Sequence, residues 1–282
     1  MARKNIFELL AATFDMAQEV SRLDDIIRKR FSFVWYGMTN YTLERYVDEY
    51  CFSDWESRGH FLDLSDFLNA ISYTKILTSA KNNPEAFLTF IEIGYNLYYL
   101  AKKEFLQTDD SWECYDTYEM FPQIADDCLA HFNHKIFYNE ELEQAIVVED
   151  KPEVTAVVEI EEDTDIAFEI VRYNHHALKG DISAKRAILL KIGSQLEPLR
   201  SQISACNKTL EKDIFFMLNN LNIRHNNCVP GDAKYKPFVA SMDAETLENW
   251  YDELYQMILL AKLELANVKR MEQVETLKQN IK

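Results

Sequence analysis

Glycine and proline are scarce, six of each in 282 residues. So few turn formers cannot punctuate many short strands, and long helices are expected instead. The five cysteines, at 51, 114, 128, 206 and 228, form no C-x-x-C pair. That excludes the spacing of a structural zinc site and leaves free thiols in a reducing compartment as the expectation. No stretch approaches the roughly twenty apolar residues a bilayer span needs. The opening MARKNIFELLAATFDMAQEV starts basic, but acids interrupt its apolar run and no cleavage site follows. A cytoplasmic protein with no membrane partner is expected. There is no glycine-rich phosphate loop, no H-E-x-x-H and no G-x-S-x-G, so no cofactor is expected. His131 and His134, in HFNHK, have Asp126 and Asp127 upstream but lack a third clustered ligand at metal-site spacing, so no metal is assigned.

Charge is present but lopsided. The first 165 residues hold 14 Lys/Arg against 33 Asp/Glu, and the remainder 16 against 14. The acidic front repels nucleic acid and suits a protein partner, whereas the near-neutral back half can still carry a local basic patch. Between them, residues 140–165 hold eleven acids and one base around the β-branched run TAVVEI. This segment reads as a solvated connection with a short helix or strand.

The apolar periodicity gives an all-α fold, with a helical N-terminal domain (1–140), an acidic connecting segment (141–164) and a C-terminal four-helix bundle (165–282). In front, residues 6–30 read as one helix. Asp63 or Ser65 starts LSDFLNAISYTKILTSA, Pro84 starts a long helix, and Pro122 can open QIADDCLAHF. In the back half, Asp165 can cap IAFEIVRYNHHALK, with Gly180 as its stop. Asp181 caps ISAKRAILLKIGSQLE as far as Pro198. A third helix starts near Thr209, and a fourth runs from Asp243 past Lys269 with Leu247, Trp250, Leu254, Met257, Ile258, Ala261 and Leu265 as its seam.

The third helix ends in unusual chemistry. FFMLNNLNIRHNNCVPGD passes from an apolar run straight into Arg224, His225, Asn226 and Asn227. Arginine offers a planar fork for phosphate, histidine titrates near neutrality, and asparagine both donates and accepts. The same residues are also what helix physics places at a C-terminus, where cations meet the negative end of the dipole and Asn tolerates the left-handed turn. Both readings stand at this point, a polar site or a cap.

The run LEPLRSQISACNKTLEKDIFFMLNNLNIRHNN, followed by LENWYDELYQMILLAKLEL, resembles the C-terminal helical domains of bacterial abortive-infection-type proteins in the HEPN superfamily. The resemblance covers about residues 165–270. It implies a bundle that dimerises and cleaves RNA without metal, an arginine holding the scissile phosphate while histidine promotes attack by the 2′-hydroxyl. The family motif is R-x(4–6)-H. Arg224 matches its arginine and His225 its polar second position, but no histidine follows 225, and 229–231 are Val, Pro and Gly. What carries over is a catalytic set of Arg224, His225 and Asn226, with Asn227, Tyr173 and His176 contacting substrate, in an RNA-directed defence or toxin-type protein. The alternative is a non-catalytic helical interaction module, with a protein partner for the acidic front half and Arg224–Asn227 as a helix cap.

Overall fold

The computed structural model describes residues 14–29, 33–35, 39–107, 112–114 and 116–281. The first part of the helix expected over 6–30 lies outside them. The chain is mainly helical and divides into two compact units, Met1–Asp150 and Lys151–Lys282. Among the described residues no helix is long and apolar enough to cross a membrane.

Among the described residues the first helix of the first unit is α1 (Met16–Asp24), which Asp15 caps by accepting from the backbone N–H groups of Ala17 and Gln18. Two short strands, β1 (Phe33–Trp35) and β2 (Thr39–Tyr41), precede α2 (Leu43–Tyr46). Asp63 caps α3 (Leu64–Ala70) as expected, accepting from Asp66 N at 2.7 Å. The helix does not run on through the whole expected stretch, because Ser72 takes φ 57° and α4 (Tyr73–Ser79) starts afresh. Pro84 opens α5 (Pro84–Gln107), with Asn83 accepting from Ala86 N. After β3 (Trp112–Cys114) comes α6 (Asp116–His131), which has Pro122 in its interior and not at its start.

The expectation of an all-α fold needs amending by two small antiparallel sheets, β2-β1-β3 and the hairpin β4 (His134–Asn139) with β5 (Gln144–Glu149). A lone hairpin is marginal in water, since its outer edges keep unpaired backbone groups. Here α5 covers one edge. Asn96 accepts from Ala145 N at 3.0 Å and donates to Ala145 O at 2.8 Å, and Glu92 Oε2 accepts from Val147 N at 2.7 Å. Alternate residues of β5 thus turn their peptide groups toward the helix, as the antiparallel pattern requires. The aromatic core of the unit buries Phe87, Phe90, Tyr95 and Phe121.

The acidic stretch 141–164 is therefore no connecting segment. Its first part is β5, with Ala145, Val147 and Val148 almost fully buried. Its second part is α7 (Pro152–Val158), which buries Val154 and Val157 and belongs to the second unit. The β-branched run is helical because its valines pack on neighbouring helices, and tertiary burial outweighs local propensity.

In the second unit α8 (Thr164–Arg172) is capped by Asp163, not Asp165, with Asp163 Oδ1 accepting from Ile166 N at 3.1 Å. It stops at Arg172, well before Gly180. Asp181 caps α9 (Ile182–Ser194), and the chain around Pro198 separates it from α10 (Arg200–Cys206). Asn207 caps α11 (Lys208–Asn220). The loop beyond holds the short α12 (Pro237–Ala240) and leads to α13 (Ala244–Ile281), against which α7, α9, α10 and α11 pack. The buried row of α13 is Tyr251, Leu254, Tyr255, Ile258, Leu259 and Ala261, whereas Trp250 is 45% exposed. The seam differs from the expected one because the two tyrosines find carbonyls inside. Tyr251 donates to Leu221 O at 3.1 Å and Tyr255 to Ile170 O at 2.7 Å.

Candidate functional site

The Arg-His-Asn-Asn segment begins where α11 ends. Asn222 takes the left-handed conformation at φ 58°, and Arg224 N donates back to Leu218 O at 3.1 Å. Tyr251 Oη and Arg186 Nε donate to the carbonyls of Leu221 and Ile223, so the orphaned end of α11 is satisfied from several sides.

The Arg224 side chain turns away from solvent and is 13% exposed. Its guanidinium forms an ion pair with Glu197 and donates through Nη2 to Gly193 O at 3.1 Å. It also lies over the Phe215 ring, 5.3 Å from the centroid. Gly193 sits in the last turn of α9, and its carbonyl also accepts from Leu196 N at 3.2 Å. Arg224 thus sets a cation at the negative end of the dipole of α9, a helix distant from it in sequence, and not at the end of α11. This geometry leaves little of the planar fork for a phosphate, which counts against the catalytic role carried over for Arg224.

Asn227 is fully buried. Its Oδ1 accepts from Asn222 N and its Nδ2 donates to Lys234 O, each at 2.8 Å. Its own carbonyl accepts from Lys236 N at 2.7 Å. One side chain thereby closes the loop from 222 to 236, so the substrate contact expected of Asn227 is replaced by an internal role. His225 is half-buried, with its carbonyl accepting from Asn227 N. Asn226 is exposed. Of the expected catalytic set, these two keep surface access.

Tyr173 belongs to a different cluster. Among the described residues, no hydrogen bond, ion pair or ring contact joins it to residues 224–227. It stacks on Tyr255 with centroids 4.1 Å apart and planes 10° from parallel, and donates to Asp252 Oδ1 at 2.8 Å. Lys185 Nζ, on α9, bonds the same Asp252 oxygen at 2.8 Å and Glu248 Oε1 at 2.7 Å. Glu248 also accepts from Gly180 N at 2.8 Å, where φ of 82° requires glycine. Asn174, nearly buried, donates to Tyr255 Oη and accepts from Lys151 Nζ. His176 lies just beyond, in a single 3₁₀ turn, its ring 4.6 Å from that of His175.

The electrostatics of this cluster are those of a lock. Burial, then the neighbouring Asp252 carboxylate, push the Tyr173 hydroxyl far above its ordinary range, so it stays a neutral donor. Burial pushes the Glu248 carboxyl up, but the hydrogen bonds from Lys185 and Gly180 outweigh it and hold the group below the usual glutamate value. A buried ammonium between two carboxylates ties α9 to α13 and the turn before α9 to both; breaking such a pair costs more than the pair contributes. Sequence reading missed Lys185, Glu248 and Asp252. Their one available signal was a lysine on the apolar stripe of its helix.

The histidines of HFNHK are engaged separately. His131 stacks on Phe14 at 4.0 Å, and His134 Nδ1 sits 2.7 Å from Phe132 O. The first unit also carries an apolar groove of about 350 Å³, lined by Trp55, Phe67, Ile71, Ile93, Leu97 and Ile146. No family model, curated protein or solved structure matches the chain.

Proposed function

We propose that the chain is a non-catalytic helical interaction protein in which the Arg224–Asn227 segment is architectural. The observation that carries this reading is the triple engagement of Arg224 by Glu197, Gly193 O and the Phe215 ring. A guanidinium already shared by a carboxylate, a carbonyl and a ring has fewer N–H groups free to turn on a transition-state charge. The absence of any histidine after 225 agrees with it. The first unit, with 13 Lys/Arg against 27 Asp/Glu, repels phosphate backbones and suits a basic protein partner. On this reading the HEPN-like resemblance is one of helix arrangement, a four-helix set of α8, α9, α11 and α13 used for association.

The RNA-directed reading survives only through His225 and Asn226, which keep surface access. One experiment separates the two. Purified chain is incubated with RNA in divalent-free buffers from pH 6 to 8, beside Arg224→Ala and His225→Ala. The architectural reading expects intact RNA throughout, a lower melting temperature for Arg224→Ala and an unchanged one for His225→Ala. Cleavage by the wild type that His225→Ala abolishes at unchanged melting temperature would overturn it.

A further inference from the structure

The end of α13 leaves its unit. Residues 267–281 are exposed on every side. A helix of that length standing free in water is marginal. It is also not polar throughout, since Val274, Leu277 and Ile281 are 47, 56 and 76% exposed. Further back, on the side away from the buried row, Leu260 is 47% exposed and Leu263 half-buried.

These positions follow a heptad. Leu260, Asn267, Val274 and Ile281 recur every seven residues, and Leu263, Arg270 and Leu277 fall three beyond them. That is the a/d seam of a two-stranded coiled coil, over a helix length of roughly 33 Å. Two polar residues interrupt it, and they decide the partner.

We infer that this face of α13 pairs with α13 of a second copy of the chain, antiparallel, about a two-fold axis passing between positions 268 and 269. In that register Leu260 lies opposite the partner's Leu277, Leu263 opposite the partner's Val274, and Asn267 opposite the partner's Arg270. At these three levels apolar residues meet apolar ones and each guanidinium meets an amide oxygen that can accept from it, while Ile281 at the tip lies opposite the partner's Gln256. A parallel pairing in register would set Arg270 against the partner's Arg270 inside the seam, two like charges with no acceptor between them. The face is self-complementary in one orientation, the condition for a closed, isologous dimer. A foreign helix would have to reproduce the same order of apolar and polar residues.

The inference deepens the interaction reading and rests on it, naming a copy of the chain as one partner. Sedimentation velocity of the full chain across the micromolar range tests it. The wild type should dimerise with concentration. Val274→Glu with Leu277→Glu should stay monomeric throughout, with the helicity and melting temperature that the wild type shows at dilutions where it too is monomeric, because both residues are exposed. Asn267→Glu reads the orientation. Antiparallel helices then gain two Glu–Arg pairs and dimerise about fivefold more tightly, as two exposed ion pairs of ordinary strength allow; the gain should fade with salt. Parallel helices would bring two glutamates together and weaken. A wild type monomeric at high micromolar concentration, a double variant that dimerises like the wild type, or weakening by Asn267→Glu would each overturn the inference. None of these outcomes bears on RNA cleavage, so the two proposals fail separately.

Discussion

Asn96 in the first unit and Asn227 in the second perform the same kind of act in different surroundings. Each offers a side-chain amide to backbone that no regular structure serves. Asn96 stands in for a missing strand beside β5, bonding both peptide groups of Ala145. Asn227 stands in for a ladder across an irregular loop, joining Asn222 N to Lys234 O. The difference is water. Asn96 is half-buried at the rim of an open groove, and Asn227 is sealed. An asparagine in an unusual place is therefore as informative about orphaned backbone as about chemistry, and the degree of sealing sets how much depends on it.

The sharpest way to break this comparison is to remove both amides. Asn227→Ala empties a fully buried position and takes the partner from the part-buried Asn222 N–H and Lys234 carbonyl, and at about 1–3 kcal/mol for each such group the loss should be about 3 kcal/mol. Denaturant unfolding measures it, and amide exchange should quicken at Asn222 and Lys236. Asn96→Ala should cost less, about 1–2 kcal/mol, because the space the amide leaves opens onto the groove and lets water in to the Ala145 peptide groups. Faster exchange should be concentrated at Ala145, with Val147 still held by Glu92. Equal losses at the two sites would show that sealing is not what separates them.

A smaller effect sharpens the contrast between neutral amides and charges. Glu248 titrates lower in the folded chain than in the unfolded one, so its contribution is complete above the ordinary glutamate range and is lost as pH falls through the depressed folded value. Glu248→Gln should destabilise by only about 1 kcal/mol at neutral pH, because Lys185 keeps its pair with Asp252 and the amide oxygen can still accept from it. In acid the variant and the wild type should converge. The asparagine variants should show no such convergence, since amides do not titrate.

What could be read from the sequence was local. Asp63, Pro84 and Asp181 begin helices as their positions indicate, because a cap needs only the next few residues. The hairpin 134–149 could not be read, because its stability is borrowed from Glu92 and Asn96, some 50 positions earlier. TAVVEI misled in the opposite direction: valines that favour strands are held in a helix by what they pack against. For Arg224 the residue type and a place at the negative end of a helix dipole were both legible, but not which helix. Gly193 and Glu197 lie 31 and 27 positions before it, beyond any local pattern. Tyr173 was assigned to substrate without sight of Asp252, 79 positions on.

Two of the scarce glycines carry a further consequence. A methyl group added at Gly94 would stand 2.4 Å from Phe121, and one at Gly193 would stand 2.7 Å from Leu218. Glycine inside a helix costs about 1 kcal/mol relative to alanine, so alanine would ordinarily be the better residue there. At Gly193 the missing carbon sets how closely α11 can lie against α9, and the same residue's carbonyl receives the Arg224 guanidinium. A single methyl would press on the end of the buried Leu218 side chain, which would have to shift, directly beside the carbonyl that receives the arginine. Core packing and the acceptor of a distant loop thus meet at one residue, whose side chain is a hydrogen atom.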